Sequence, residues 1–204
     1  KDSESASPSP ALVDSMAHRL MQAKVLRELV GEPDAEARVE HFVLERELGS
    51  GGMGTVYEGW DERLQRRVAL KFLRRVASGS AAEQRMLREA QGLAQLAHPN
   101  IVPIYDVGRH DGRIWLAMEH IPGQTLRAWA LAPRSQAELL EVWIAAGRGL
   151  AAVHDAGLIH RDVKPDNIMI GEDGRVRVVD FGLVRAVDGS HLDSASGGPP
   201  TVRE

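Results

Sequence analysis

The run Gly49-Ser50-Gly51-Gly52-Met53-Gly54 limits this chain more than any other stretch. Four glycines in six residues suit neither a helix nor a long strand, because Gly loses the most backbone freedom on ordering. What flanks the run decides which loop it is. A G-x-G-x-x-G turn of the dinucleotide-binding kind opens into a helix. Here Thr55-Val56-Tyr57-Glu58 follows, β-branched and aromatic, and Phe42–Leu48 before it is also strand-like. The loop therefore joins two strands, and its exposed backbone amides can lie over phosphates.

Further elements follow from periodicity. Arg67–Leu73 continues the strand series after Asp61–Gln65. Ala81–Ala97 reads as a helix with Met86, Leu87, Ala90, Leu93, Ala94 and Ala97 on its apolar face, ended by Pro99. Strands are expected at Ile101–Val107 and Arg113–Glu119, then a break at Ile121-Pro122-Gly123. A second helix should start at Ser135, with Glu138 closing a capping box, and run to Ala156 before Gly157. Its expected buried side is Leu139, Leu140, Val142, Trp143, Ala146, Leu150 and Val153. Ile168–Ile170 and Arg175–Val179 flank Gly171-Glu172-Asp173-Gly174 as a hairpin. Upstream, residues 1–10 are a Ser/Pro-rich lead-in expected to be disordered. Residues 11–41 hold a helix from Leu12 to Leu29, packed on the next domain and stopped by Gly31 and Pro33.

Composition narrows the chemistry. With no Cys among 204 residues, disulfide scaffolds, thiolate metal sites and Cys nucleophiles are excluded. None of the eight His residues has metal-ligand spacing. A formal charge of −4 gives no pull toward nucleic acid, and Arg63, Arg66, Arg67, Arg74 and Arg75 read as a solvated strand face. Apolar residues are 43% of the chain, enough for a core. Runs such as Val176–Val179 are far shorter than a membrane span. No apolar stretch after Lys1 resembles a signal peptide, so the chain reads as soluble and cytoplasmic, with no membrane segment.

Three further signals carry function. Lys71 stands in Val68-Ala69-Leu70-Lys71, seventeen residues after Gly54. An ammonium in an apolar strand needs an anion. A phosphate contact for Lys71, with small Ala69 on an adenine ring, accounts for both residues. The second signal is His160-Arg161-Asp162-Val163-Lys164-Pro165-Asp166-Asn167, and the third is Asp180-Phe181-Gly182, thirteen residues beyond Asn167.

Together these motifs resemble the eukaryotic-type (Hanks-type) protein kinases, in their bacterial serine/threonine branch, from about Phe42 to Arg185. The resemblance implies an α+β, kinase-like two-lobe fold. A β-rich N-lobe with one main helix would span 42–120, a partial helical C-lobe 121–187 and a truncated activation segment 188–204. It implies transfer of the γ-phosphate of ATP, with Mg²⁺ (Mn²⁺ as the alternative), to Ser/Thr hydroxyls of proteins, autophosphorylation included. Asp162 would orient the hydroxyl and accept its proton, and Lys164 would neutralise the γ-phosphate. Lys71 would hold the α- and β-phosphates, oriented by Glu89. Asn167 and Asp180 would bind the metal. Gly49, Ser50, Gly51, Gly52, Met53 and Gly54 would cover the phosphates. Leu48, Val56, Ala69 and Met169 would wall the adenine, Met118 would guard the back of its pocket, and Glu119, His120 and Ile121 would form the hinge. His160, with Leu93, Ile104 and Phe181, belongs to a stacked column linking the lobes, a structural place rather than that of a base. Lys164-Pro165 is the serine/threonine form. Arg161 implies a cation for a phosphate on the activation loop, with Ser190, Ser194, Ser196 and Thr201 as candidates.

The end of the sequence departs from the family. After Asp180-Phe181-Gly182 no Ala-Pro-Glu follows, and Gly197–Glu204 closes the sequence without further helices. The chain is therefore expected to be a fragment, or to be completed by a partner. The long helix from Ser135 is expected to lack part of its apolar partner surface. The alternatives are a non-catalytic pseudokinase-like module that binds nucleotide or partners, which intact Lys71, Asp162, Asn167 and Asp180 disfavour, and a small-molecule kinase of the aminoglycoside type, which Lys164-Pro165 and the Gly-rich loop disfavour.

Overall fold

The computed structural model of the chain describes residues 15–25, 37–75, 77 and 79–182. The expected lead-in, the ends of the first helix, the activation segment and its Ser190, Ser194, Ser196 and Thr201 lie outside the described residues.

Six antiparallel strands form one sheet in the order β1-β2-β3-β4-β6-β5. They are β1 (Ala37–Val39), β2 (Phe42–Gly51), β3 (Gly54–Asp61), β4 (Arg66–Leu73), β5 (Ile104–His110) and β6 (Arg113–Glu119). The central strands β4 and β6 are buried on both faces, which explains their nearly unbroken apolar runs. On one face Ala69, Leu73, Leu116 and Met118 pack against Met86, Ala90 and Leu93 of α2 (Ala81–Ala94). On the other, Leu70, Phe72 and Trp115 join Phe42, Leu44 and Tyr57, and Met16 of α1 (Ser15–Val25) seals the cluster. Each buried Leu, Met or Phe of these clusters contributes about 2 kcal/mol of apolar burial. Arg19 of α1 is tied to Asp111 beyond β5 at 2.6 Å.

Two boundaries shift for identifiable reasons. Helix α2 stops at Ala94 rather than Ala97, and Ala94 and Ala97 are exposed. The Gln95 and Leu96 amides bond back three residues to Gly92 and Leu93, tightening the last turn ahead of Pro99. Strand β5 starts at Ile104 rather than Ile101, because Pro103 has no amide to give the ladder. Ile101 instead bridges Val178 in parallel, and the Val102 amide donates to the Val178 carbonyl at 3.0 Å.

The second lobe has a small sheet, β7-β8-β9 (Gly123–Thr125, Ile168–Gly171, Val176–Val178), the short helix α3 (Leu126–Trp129) and the long helix α4 (Gln136–Asp155). Ser135 caps α4 with the expected box: its hydroxyl accepts from the Glu138 amide, and the Glu138 carboxylate accepts from the Ser135 amide at 2.8 Å. The buried stripe of α4 is narrower than the sequence suggests. Val142, Ala146, Gly149 and Val153 face inward, while Leu140 and Trp143 are 60% and 46% exposed. The stripe packs against Asn100, β8 and β9, a surface too narrow to cover the flanking positions. Among the described residues no helix is long and apolar enough to cross a membrane.

Candidate active site

The β2–β3 hairpin turns at Gly52-Met53, and the expected strand Phe42–Leu48 runs on through the Gly-rich residues, with Gly49, Ser50 and Gly51 paired to Val56, Thr55 and Gly54. Gly54 has φ 137°, and a Cβ there would run into the Phe72 carbonyl of β4. That glycine serves the fold. At Gly49, Gly51 and Gly52 an added Cβ would meet no protein atom, so packing gives no reason for glycine there. Leu48 is exposed and Ser50, Gly51 and Gly52 stand open, while Met53 and Val56 are half-buried.

Register sets the next layer. Val56 lies opposite Lys71, and Ala69 opposite Met118. Ala69 and Met118 are buried in one cluster, with Val56 and Ile121 packed against it. Met169 is half-buried on β8. His120, next to Glu119, has its Nε2 3.8 Å from Glu58. Burial pushes the Glu58 carboxyl up, but a hydrogen bond from Arg67 and the charges of His120, Arg46 and Arg67 outweigh it, so it sits below the usual carboxylate range. Arg67, with Glu58 and Glu45 as partners, and Arg66, over the Tyr105 ring at 3.4 Å, are thus engaged locally.

The catalytic-loop motif folds into a cage around Asp162. Lys164 Nζ donates to Asp162 Oδ2 at 2.7 Å. Asn167 Nδ2 donates to the Asp162 carbonyl at 2.8 Å and to Oδ2 at 2.9 Å. Asn167 sits at the end of the 3-10 turn Pro165–Asn167, 5% exposed, and its carbonyl accepts the Val179 amide at 2.9 Å. His160 is 1% exposed; its Nε2 bonds the Val179 carbonyl at 2.9 Å and its Nδ1 accepts the Asp162 amide at 3.3 Å. Burial holds its pKa below the ordinary value, against the Val179 hydrogen bond and the charges of Asp162 and Asp180. A neutral, doubly bonded ring stacked 4.7 Å from Phe181 is a structural element. Leu93 and Phe181 share one core cluster with Ile104 packed on it, as the stacked column requires.

Arg161 and Asp180 both carry left-handed backbone, at φ 65° and 59°. Non-glycine residues there cost of order 1 kcal/mol each and cluster where function requires them. Their side chains give the main correction to the sequence reading. Lys71, 4% exposed, pairs not with Glu89 but with Asp180, Nζ to Oδ1 at 3.0 Å. Glu89 instead accepts from Arg161 Nη1 at 3.1 and 3.2 Å. Two cations and two acids are thus matched crosswise. Glu83, buried at the N-terminus of α2, accepts the Gly79 amide at 2.7 Å and does not pair with Lys71.

One contact had no signal in the sequence. Arg127 of α3 grips Asp166 at 2.6 and 2.8 Å, pinning the turn that presents Asn167, and its hydrogen bonds lower the Asp166 pKa. The partners are 39 residues apart, beyond any local pattern.

Lys71, Asp180, Asp162, Lys164 and Asn167 thus converge at the ends of β4 and β9 and the loop before β8. Asn167 and Asp180 offer the amide and carboxylate oxygens that a hard divalent cation prefers. Comparison with known proteins agrees. Residues 42–200 match the family model described as the protein kinase domain. The chain is 42% identical over 156 residues to the serine/threonine-protein kinase PknL of Mycobacterium tuberculosis, covering 75% of this chain and 39% of that protein. To PrkC of Bacillus subtilis, also a serine/threonine-protein kinase, it is 38% identical over 158 residues, covering 74% and 24%. The crystal structure of the Mycobacterium tuberculosis PknI kinase domain matches with a TM-score of 0.64 at 30% identity, over 72% of this chain and 61% of that one. The chain spans well under half the length of these two curated relatives.

Proposed function

The chain belongs to the protein kinase family, with relatives in its bacterial serine/threonine branch, and from that premise we propose that it transfers the γ-phosphate of Mg·ATP to Ser/Thr hydroxyls of proteins, its own included. The observation that carries this reading is the cage around Asp162. A carboxylate fixed by Lys164 and Asn167 can orient a hydroxyl and take its proton, and fixed position is most of what phosphoryl transfer asks of a protein.

The remaining roles follow from charge. Lys71, buried and already bonded to an anion, suits a phosphate. Lys164 lies at the same carboxylate as the acceptor and would offset charge on the transferred group. Glycines that protein packing does not require, at Gly49, Gly51 and Gly52, leave the β2–β3 turn open to a bulky anion. Asn167 and Asp180 would hold Mg²⁺, which when bound neutralises the polyphosphate. Leu48, Val56, Ala69, Met169 and Met118 would enclose the base, and Glu119 and Ile121 would bond its edge.

The crosswise pairs suggest how activity is set. Arg161 binds Glu89, and Lys71 has Asp180. A loop phosphate that captured Arg161 would release Glu89 toward Lys71. The test of function is transfer of labelled phosphate from ATP to a generic basic protein by the full-length gene product. Nucleotide binding without transfer would favour the pseudokinase-like alternative. Transfer to an aminoglycoside and not to protein would favour the small-molecule one.

A further inference from the structure

Arg177 lies in β9, three residues before Asp180, with its side chain only 3% exposed. Arginine stays protonated in proteins, so burying it requires anions. Two carboxylates supply them. Nε and Nη2 donate to Glu119 at 2.9 and 3.0 Å. Nη1 and Nη2 donate to Asp173 at 3.2 and 2.7 Å. Arg175 completes the cluster, with Nε 2.7 Å from Asp173 and Nη2 3.7 Å from Glu119.

The backbone is shaped around this cluster. A Cβ on Gly171 would collide with the Asp173 carboxylate and sit 2.9 Å from Arg177 Nη1, so β8 ends on the residue that leaves room for the fork. The Glu172 amide donates to the Pro122 carbonyl at 2.7 Å, and Gly123 pairs with Gly171. The segment after Met118 is thereby stitched to the β8–β9 turn. Its two first residues engage different lobes: Glu119 reaches β9, and His120 reaches Glu58 on β3.

An apolar side chain could hold β9 to its neighbours at least as well, since hydrophobic replacements of buried ion pairs are often neutral or stabilising. What the fork adds is a fixed distance and direction between its partners. One partner, Glu119, opens the linker that would bond the base, and the strand carrying the fork runs directly into Asp180. We propose that Arg177 is a positioning residue that sets the spacing between the adenine-binding linker at 119–121 and the metal-binding carboxylate of Asp180, so that one nucleotide meets both. The proposal rests on the kinase reading of this site.

The test compares Mg·ATP with adenosine, which touches only the base end. Affinities of both would be measured calorimetrically on the full-length gene product as wild type, Arg177→Gln and Arg177→Lys. A linker and metal carboxylate no longer at matched spacing would forfeit about one charged hydrogen bond's worth of contact to a nucleotide that must meet both, about tenfold in affinity. Arg177→Gln is therefore expected to weaken Mg·ATP about tenfold and leave adenosine nearly unchanged. Arg177→Lys, keeping the charge without the fork, should fall between. If Arg177→Gln does not fold, Arg177→Lys, which keeps the charge without the fork, takes its place with the same expected direction. Unchanged Mg·ATP affinity, or equal losses for both ligands, would overturn the proposal, because a merely structural arginine acts on both alike. A folded wild type that binds adenosine but no Mg·ATP would overturn the kinase reading, and this inference with it.

Discussion

Truncating Asn167 to alanine should damage stability and nucleotide binding together. The side chain is 5% exposed, and its Nδ2 supports Asp162 twice, at the carbonyl (2.8 Å) and at Oδ2 (2.9 Å). A neutral hydrogen bond contributes about 1 kcal/mol and one to a charged group about 2 kcal/mol, so the loss should be about 3 kcal/mol. The backbone bonds of Asn167 to Lys164 and Val179 survive the substitution and set no further cost. For a chain of this size about 3 kcal/mol lowers the melting temperature by roughly 10 °C. Urea denaturation read by fluorescence of the four tryptophans gives the energy directly, provided the slope with denaturant is unchanged. The same variant removes one of the two oxygens assigned to Mg²⁺, so the stabilisation by Mg·ATP should shrink as well. Asn167→Asp separates the two effects, because it keeps an oxygen for the metal but puts a second carboxylate beside Asp162. It should destabilise the free protein and regain stability with Mg²⁺. A cost below about 1 kcal/mol for Asn167→Ala, with full nucleotide response, would refute the cage as described.

Mg·ATP at a hundredfold excess over Kd should stabilise the wild type by about 2.7 kcal/mol. Asp180→Asn should lose most of that gain in the same melt, since it removes the charged ligand and the partner of buried Lys71. Gly54→Ala should destabilise by about 2 kcal/mol or more in urea, because φ 137° and the Phe72 carbonyl both exclude a side chain; an unchanged midpoint would contradict the hairpin geometry. His160 resists protonation when folded but accepts a proton near pH 6.5 when unfolded, so stability should be lost as pH falls through 6.5 toward the lower folded value. His160→Phe should remove that part of the slope in a pH series of melts, and an identical slope in both proteins would refute the assignment.

The sequence was most legible where one local pattern fixes one conformation. The Gly-rich hairpin, the Ser135 capping box and the β8–β9 hairpin each lie within a few residues of chain, and each is found where its signals stand. Less legible were the three-residue strands β1 and β7 and the four-residue helix α3, too short to show a period. The apolar residues of α4 overstated its buried face, since Leu140 and Trp143 are apolar yet exposed. At the site, the motif residues of the catalytic loop and Asp180 come together. The partner of Glu89 did not follow from the motif: Glu89 accepts from Arg161, 72 residues away, while Lys71 pairs with Asp180, and both Arg161 and Asp180 carry left-handed backbone that no spacing encodes. The grip of Arg177 on Glu119 spans 58 residues and was equally invisible.

Asp162, held by Lys164 and Asn167, should serve the transfer step and not nucleotide binding. The most direct measurement is turnover of labelled ATP by the full-length gene product alongside Mg·ATP affinity, for wild type and Asp162→Asn. Wild type should phosphorylate protein, and Asp162→Asn should lower kcat by about a hundredfold or more with affinity nearly unchanged. Undiminished turnover in Asp162→Asn would contradict this role, as would a wild type that binds Mg·ATP and transfers nothing.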